Sequence, residues 1–314
     1  MEIEGYLKQG VKDVKIRKDM KVKELIEEMK NIGGFSAQNL VYGIDTLEKM
    51  IKDPDSFNFL SFTANIVATG IRGTLAQAVK YFDAIITTCG TIDHDLAKSE
   101  GGVYSKGAFE ADDAYLHRKK VYRLGNLFIR QSAYGMSIEK GFRRIMEDIY
   151  KSPDYKEEYS PSELLYEFGK RIKDEDSIIR QAYLHKVPIF SPGILDGAFG
   201  TQLVIFSQDH RFRLNVIKDE RKLSDIVFDN KKTGALMIGG GISKHHVIWW
   251  NQFKEGLDYA VYITTASQYD GSLSGARLTE AVSWGKVKEN ARQVTIDGDA
   301  TVIIPIMFSC LNLV

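Results

Sequence analysis

Short apolar runs recur along the chain, each closing on Gly, Ser, Thr or Asp. They are FLSFTANIVATG (59–70), DAIITTCG (83–90), NLFIRQ (126–131), VPIFSPG (187–193), GALMIGGG (234–241), DYAVYITTA (258–266) and TVIIPIMF (301–308). Several are nearly unbroken and rich in Ile, Val and Phe, the pattern of strands covered on both faces. Between them lie amphipathic stretches of helix length: 72–82, 137–150, 161–172, 175–185, 219–230, 243–256 and 276–290. This alternation predicts an α/β fold, a Rossmann-like, doubly wound, mainly parallel sheet with helices on both faces. Residues 1–33 are charged, and KVKELIEEMKNI places apolar residues at helical spacing before Gly33-Gly34. They read as an N-terminal helical extension to a single domain over 34–314. The polar stretch 150–163 holds two prolines, but helical patterning resumes at once, so it reads as a surface connection.

Composition narrows the function class. Lys plus Arg and Asp plus Glu are 42 each in 314 residues, a zero formal charge. That argues against a general nucleic-acid binder. Two cysteines, Cys89 and Cys310, form no Cys-x-x-Cys pair, so neither a structural zinc nor a disulfide framework is expected. The N-terminus is polar without the apolar core of a signal peptide, and no apolar run is long enough to span a bilayer. A cytoplasmic protein without membrane attachment is the expectation.

The candidate chemistry gathers at predicted strand ends, where open parallel sheets bind ligands. Six clusters of small or hydroxylic residues sit there: Thr63-Ala64-Asn65, Thr87-Thr88-Cys89-Gly90, Ser191-Pro192 with Asp196-Gly197, Gly239-Gly240-Gly241, Thr265-Ala266 and Asp270-Gly271-Ser272. Small side chains let a phosphate-bearing cofactor approach backbone N–H groups, although G-x-G-x-x-G is absent. Any single cluster is adequately explained as a turn; six together favour a cofactor. His245 and His246 follow the triple glycine. Adjacent helical residues diverge too far for a shared metal, and no third ligand lies nearby, so no metal is expected. His245 is better placed as an acid or base. His94, between Asp93 and Asp95, reads equally as a hydrogen-bonding residue or a ligand contact. Asp93, Asp95, Asp196, Asp270, Glu280 and Asp299 are individually most typical of caps and turns. Converging on one cleft, they would suit a polycation, with Trp284 offering cation–π contact. Lys286, in EAVSWGKVKEN, has Ala281, Val282, Trp284 and Gly285 before it. Desolvation there would lower its pKa and free its lone pair for attack on a carbonyl or iminium carbon.

IGGGISKHHVI, DYAVYITTASQYDGSLSGAR and EAVSWGKVK, with FTANIVATGIRGT, TTCGTIDHDLA, NLFI and FSPGILDGAFGTQ in the same order, resemble deoxyhypusine synthase of the archaeal branch. The similarity runs from about residue 34 to the C-terminus. It implies an NAD-dependent transferase with a Rossmann-like fold. Such an enzyme passes the aminobutyl group of spermidine to an enzyme lysine as an imine, then to one lysine of the translation factor five A precursor. It also implies a homotetramer, a dimer of dimers, with sites where paired subunits meet.

Carried over by position, the resemblance implies Lys286 as the imine-forming lysine and His245 as the base that takes a proton from the substrate amine. It implies cofactor contacts at Ala64, Asn65, Thr88, Cys89, Gly90, Asp196, Gly240, Thr265, Ala266, Asp299 and Ala300. Glu280, Trp284, Gly271 and Ser272 correspond to the polyamine tunnel, and Asp93 and His94 stand as further substrate contacts. The better-known eukaryotic pattern has carboxylates where this chain has His94, Thr201 and Leu273. That departure motivates one alternative, a homospermidine synthase-like transfer between polyamines. A third reading, from another class, is an NAD-binding, non-catalytic subunit that pairs with an active paralogue, against which the retention of Lys286, His245 and Trp284 together speaks.

Overall fold

The computed structural model describes residue 7 and residues 10–311. Apart from Leu7, the first nine residues of the expected extension lie outside the described residues. Eleven strands are present among those described: β1 (Ser56–Phe62), β2 (Ala84–Ile86), β3 (Tyr104–Lys106), β4 (Val121–Leu124), β5 (Leu127–Arg130), β6 (Glu158–Tyr159), β7 (Ile189–Phe190), β8 (Arg213–Leu214), β9 (Lys232–Ile238), β10 (Leu257–Thr264) and β11 (Val287–Asp297). Six form the central sheet in the order β11-β10-β9-β1-β2-β7. Every pair in it is parallel. The chain winds outward from β1 through β2 to β7, then returns to β1's other side with β9 and winds on to β11. That is the doubly wound arrangement the alternation predicts.

Burial explains why these strands are nearly unbroken apolar runs. One face of the sheet packs Phe59, Met237 and Tyr262 against Leu223, Val227, Val247, Ile248, Leu278 and Ala281. Those residues come from the helices Val216–Asp229, Gly241–Asn251 and Leu278–Ser283. The opposite face carries the larger core, in which Leu60, Phe62, Leu236 and Val261 meet the remaining helices. Ile26, from the helix Val22–Ile32, is buried in that core, so this part of the N-terminal segment is packed against the domain.

The structure departs from the expected elements in several places. TVIIPIMF is not a strand: Ala300–Cys310 is a helix, with Asp299 accepting from the Thr301 amide at 2.8 Å. Its apolar residues are consecutive, so periodicity could not separate helix from strand. The buried subset, Ile303, Ile304, Met307 and Cys310, has helical spacing. The helix expected over 276–290 stops at Ser283. Gly285 adopts φ +65°, the left-handed conformation that closes a helix, and the chain then enters β11. The run 126–131 lies outside the main sheet, in an antiparallel ribbon of order β3-β5-β4. Five further helices among the described residues fall outside the expected helical stretches: Phe35–Lys52, Ala64–Ala68, Cys89–Ser99, Asp113–Arg118 and Ala198–Asp209.

A buried ionic junction ties helices on one face together. Asp95 is fully buried and accepts from Arg72 Nε at 2.6 Å, Ser177 Oγ at 2.7 Å, and the Ile178 and Ile179 amides at 3.1 and 2.9 Å. It therefore satisfies the first turn of helix Ile178–His185 as well as a guanidinium. Removing it leaves the Ile178 and Ile179 amides without their acceptor and Arg72, itself 7% exposed, with Asp174, 2.7 Å from Nη2, as its remaining carboxylate. Asp95→Ala is expected to lower unfolding free energy by about 3 kcal/mol in urea titration, the cost of breaking a buried ion pair and its hydrogen bonds. Loss below about 1 kcal/mol would show that Asp174 alone holds the junction.

Candidate active site

In a doubly wound sheet, the winding reverses between two neighbouring strands, here β1 and β9, and a crevice opens beyond their carboxyl ends. A cavity of about 470 Å³ lies there. Its floor is Thr63, Ile238, Gly239, Ile263, Thr264 and Thr265, and one wall is Gly298, Asp299, Ala300 and Thr301. The other wall comes from the ribbon, through Phe109 and the turn Leu124 to Leu127. The ribbon's contribution carried no sequence signal, because its residues sit in no strand-end cluster.

Glycine is required at two of these positions. Gly239 has φ +74°, and a Cβ there would approach Thr63 Oγ1 to 2.9 Å. Gly240 is buried, and a Cβ would come within 2.3 Å of Ser274 Oγ, so the loop after β10 lies directly on the turn after β9. Of the expected cofactor contacts, Asn65, Thr265, Asp299 and Ala300 line the cavity. Gly240 lies just under it, and Ala266 follows Thr265, its amide donating to Thr264 Oγ1 at 3.0 Å. Ala64 joins this group to the end of β2, since a Cβ on Gly90 would stand 2.9 Å from Ala64 Cβ. Thr88, Cys89 and Gly90 open the next helix, Cys89–Ser99. Asp196 is exposed, and its charge acts on both Cys89 and Asp93. Burial, with these two carboxylates, pushes the Cys89 thiol up to about 12, so it is no nucleophile at neutral pH.

Asp93 and His94 carry internal hydrogen bonds. Asp93 is buried and accepts from the Ala198 and Phe199 amides at 3.0 and 2.7 Å and from Tyr134 Oη at 3.1 Å. It holds the start of helix Ala198–Asp209, and burial raises its pKa despite those donors. His94 is buried with Nδ1 2.8 Å from Tyr104 Oη. Thr201 turns its hydroxyl to Gly197 O at 3.0 Å, and Leu273 packs against the core.

Lys286, Trp284 and His245 form a second locus with Trp249 on the outer side of helix Gly241–Asn251. Lys286 Nζ stands 5.2 Å from the Trp284 ring centre and 5.9 Å from that of Trp249. His245 stacks on Trp249 at 5.7 Å between ring centres, tilted by 28°. Burial lowers the pKa of His245, helped by the charges of Lys286 and His246. It is therefore a neutral imidazole near pH 7, able to accept a proton. His246 points elsewhere, to Glu220 Oε2 at 3.1 Å, which confirms that adjacent histidines on this helix diverge. Lys286 is half-buried rather than enclosed, Glu280, Gly271 and Ser272 are exposed, and Trp284 is 67% exposed. Trp249 was missed in the sequence, although its i+4 spacing from His245 places both on one helical stripe. The burial of Lys244, beside His245, was also missed.

The chain as a whole matches known proteins. The deoxyhypusine synthase family model matches residues 24–311. A probable deoxyhypusine synthase of Sulfurisphaera tokodaii is 50% identical over 313 residues, 99% of each chain. The chain belongs to the deoxyhypusine synthase family. As a member of it, the protein is a transferase. A probable deoxyhypusine synthase of Ignicoccus hospitalis is 48% identical over 316 residues, 98% of this chain and 97% of its own. A crystal structure described as a deoxyhypusine synthase of Entamoeba histolytica superposes with a TM-score of 0.67 at 20% identity, covering 96% of both chains, and has the same fold. Among the described residues of this deoxyhypusine synthase family member, no helix is long and apolar enough to cross a membrane.

The two loci lie at opposite levels of the sheet. The Leu257 amide donates to Lys286 O at 3.1 Å, so the Lys286 backbone sits at the amino end of β10. The crevice lies past Thr264, at the carboxyl end of that eight-residue strand. At the usual rise per residue the levels are roughly 23 Å apart. The Lys286 side chain runs back along helix Gly241–Asn251 and covers part of that span only.

The buried imidazole gives a direct check. Burial first, and Lys98 second, lower the His94 pKa to about 4. A histidine whose folded pKa lies below its unfolded value of about 6.5 is expected to cost stability as pH falls from 6.5 towards 4 and nothing above that window. An NMR titration is expected to show the His94 ring neutral down to about pH 4. A midpoint near 6.5 would mean that the ring is hydrated.

Proposed function

We propose that the protein is an NAD-dependent aminobutyl transferase. It takes the four-carbon amine fragment of spermidine onto Lys286 as an imine and delivers it to one lysine of the translation factor five A precursor. The observation that carries this reading is the placement of the Lys286 amine between two indole rings, with the neutral imidazole of His245 stacked on one of them. Family membership supports the reaction class.

The crevice suits a dinucleotide. Gly239 and Gly240 bring backbone close to whatever lies above them, and Thr88 Oγ1 is buried without a hydrogen-bond partner among the described residues. Asp299 is the sole charged residue among those lining the cavity. Phosphates there would rest on backbone amides, and the Asp299 carboxylate would accept from ribose hydroxyls. In this reading Asn65, Thr265, Asp299 and Ala300 line the dinucleotide, Ala64, Gly240 and Ala266 shape its bed, and Thr88, Cys89, Gly90 and Asp196 flank it. NAD would supply the hydride acceptor, and later the donor.

His245 takes a proton from the polyamine's secondary ammonium, because a carbon beside nitrogen releases hydride only when the nitrogen lone pair is free. Glu280 pairs with a terminal ammonium, and the Trp284 and Trp249 rings lie along the methylenes and hold cationic nitrogen over their faces. Gly271 and Ser272 line the entry. Asp93 and His94 act away from this surface, from helix Cys89–Ser99, holding the start of helix Ala198–Asp209 and Tyr104 of the ribbon. The Lys286 amine adds to the carbon made electrophilic by hydride loss and expels the three-carbon diamine, leaving the four-carbon fragment on Lys286 as an imine that the indole wall keeps from water until the acceptor lysine displaces Lys286.

The exposed aromatic surface supports assembly. Trp249, Phe253 and Trp284 form a broad apolar patch around the amine, a face suited to burial against another subunit. We place the protein in the cytoplasm as a homotetramer, a dimer of dimers in which the crevice of one chain faces the Lys286 locus of its neighbour. The difference in level within one chain, roughly 23 Å along β10 from the Lys286 backbone at the usual rise per residue, supports that arrangement.

Borohydride trapping tests the chemistry. With NAD and labelled spermidine, reduction is expected to fix label on Lys286, and Lys286→Arg is expected to cut trapping at least a hundredfold. Label at another residue would break the assignment. On adding the factor precursor, label is expected to move to that protein. Label appearing only on small amines would establish the polyamine-to-polyamine reaction instead.

A further inference from the structure

Lys244 is the largest charged side chain sealed inside the described residues, at 1% exposure. Its ammonium lies 3.7 Å from the centre of the Tyr262 ring. It donates to Leu273 O at 2.9 Å and to Ala276 O at 2.7 Å. No carboxylate lies within ion-pair distance of it among the described residues; Glu280, Arg277 and Lys286 act on it only through longer-range charge. A buried ammonium satisfied by two carbonyls and a ring face is an expensive way to fill a core, and an apolar side chain would fill the same space at lower cost.

The two carbonyls belong to one segment, 267–277, which leads from the end of β10 into helix Leu278–Ser283 and on to Trp284 and Lys286. The same segment is tied at Ser274, whose carbonyl accepts from Tyr262 Oη at 2.5 Å and Thr264 Oγ1 at 2.9 Å. Gly240 leaves no room for this segment to shift towards the turn after β9. Lys244 itself is on helix Gly241–Asn251, one residue before His245. One ammonium therefore joins the helix that carries the imidazole to the segment that leads to Glu280, Trp284 and Lys286.

We propose that Lys244 is a positioning residue: a buried latch that fixes the 267–277 segment to helix Gly241–Asn251 and so sets Lys286 and Trp284 against His245 and Trp249. Its ammonium reaches no exposed surface and takes no part in bond making. This deepens the functional reading above and rests on it for the identity of the reaction. Lys244→Met keeps the length and the contact with Tyr262 but removes every donor. Lys244→Arg restores donors.

The test compares wild type, Lys244→Met and Lys244→Arg as intact assemblies, by amide hydrogen exchange and by kinetics with spermidine and NAD. In Lys244→Met, exchange over 267–286 is expected to rise at least tenfold while β1, β9 and β10 keep their protection. kcat is expected to fall at least tenfold, with KM for NAD changed less than threefold. Lys244→Arg is expected to recover part of both. Unchanged exchange over 267–286 overturns the latch, and so does a uniform rise across the sheet, which would mark a merely structural role. A fall confined to KM for NAD also overturns it. If the wild-type protein transfers no aminobutyl group, the functional reading fails, and the exchange comparison alone still decides the latch.

Discussion

The parallel pairing of β1 with β9 is the constraint from which the rest of the architecture follows. Seven residues of each strand run in register, from Ser56 opposite Lys232 to Phe62 opposite Ile238. The two strands are separated by about 170 residues of chain, as their numbering in the sequence shows. Because connections leave these two strands in opposite directions, neither helix layer closes over their carboxyl ends. Gly239 and Gly240 then let the turn after β9 lie against Thr63 and Ser274 without a side chain between them. The crevice is thus a consequence of winding direction, and the glycines keep it open.

The sheet also separates functions along its length. Its carboxyl edge presents hydroxyls, backbone and one carboxylate. The amine, the imidazole and the indoles lie on the outside of a helix that runs back towards the amino edge. A crevice and an amine on different levels of one chain make sense, under the proposed reaction, when two chains meet. The exposed Trp249, Phe253 and Trp284 show where burial would be most favourable, at roughly 25 cal/mol for each Å² of apolar surface covered. Covering that surface would also strip water from around the Lys286 amine, which a single chain leaves half-buried.

Much of this was legible in the sequence because the physics is local. Unbroken runs such as GALMIGGG predicted strands buried on both faces, and the small residues closing them pointed to the strand ends where Asn65 and Thr265 line the crevice; Asp299 was implied there by the resemblance alone. What failed did so where burial is set by tertiary contacts. TVIIPIMF has no polar residue after Thr301 to mark its period, so a helix read as a strand. VKENARQVTID is mostly polar because β11 lies at the sheet edge, so its first four residues read as the end of a helix and the rest as no element. Asp93 looked like a ligand and is the cap of a helix that starts 105 residues later in the chain. Lys244 looked like an ordinary lysine beside a more interesting histidine, and nothing in its neighbours announced that two carbonyls from residues 273 and 276 would enclose it.

The central claim is that the crevice of one chain works with the lysine of another. The direct measurement is complementation between two inactive variants, Lys286→Ala, which keeps its crevice, and Thr265→Trp, which fills the crevice but keeps its lysine. Co-expressed and purified as a mixed assembly through two different tags, they are expected to regain transfer activity, because one site in each hybrid pair combines an intact crevice with an intact lysine. A mixed assembly as inactive as either parent would mean that both halves of the site must come from the same chain, and would contradict the account.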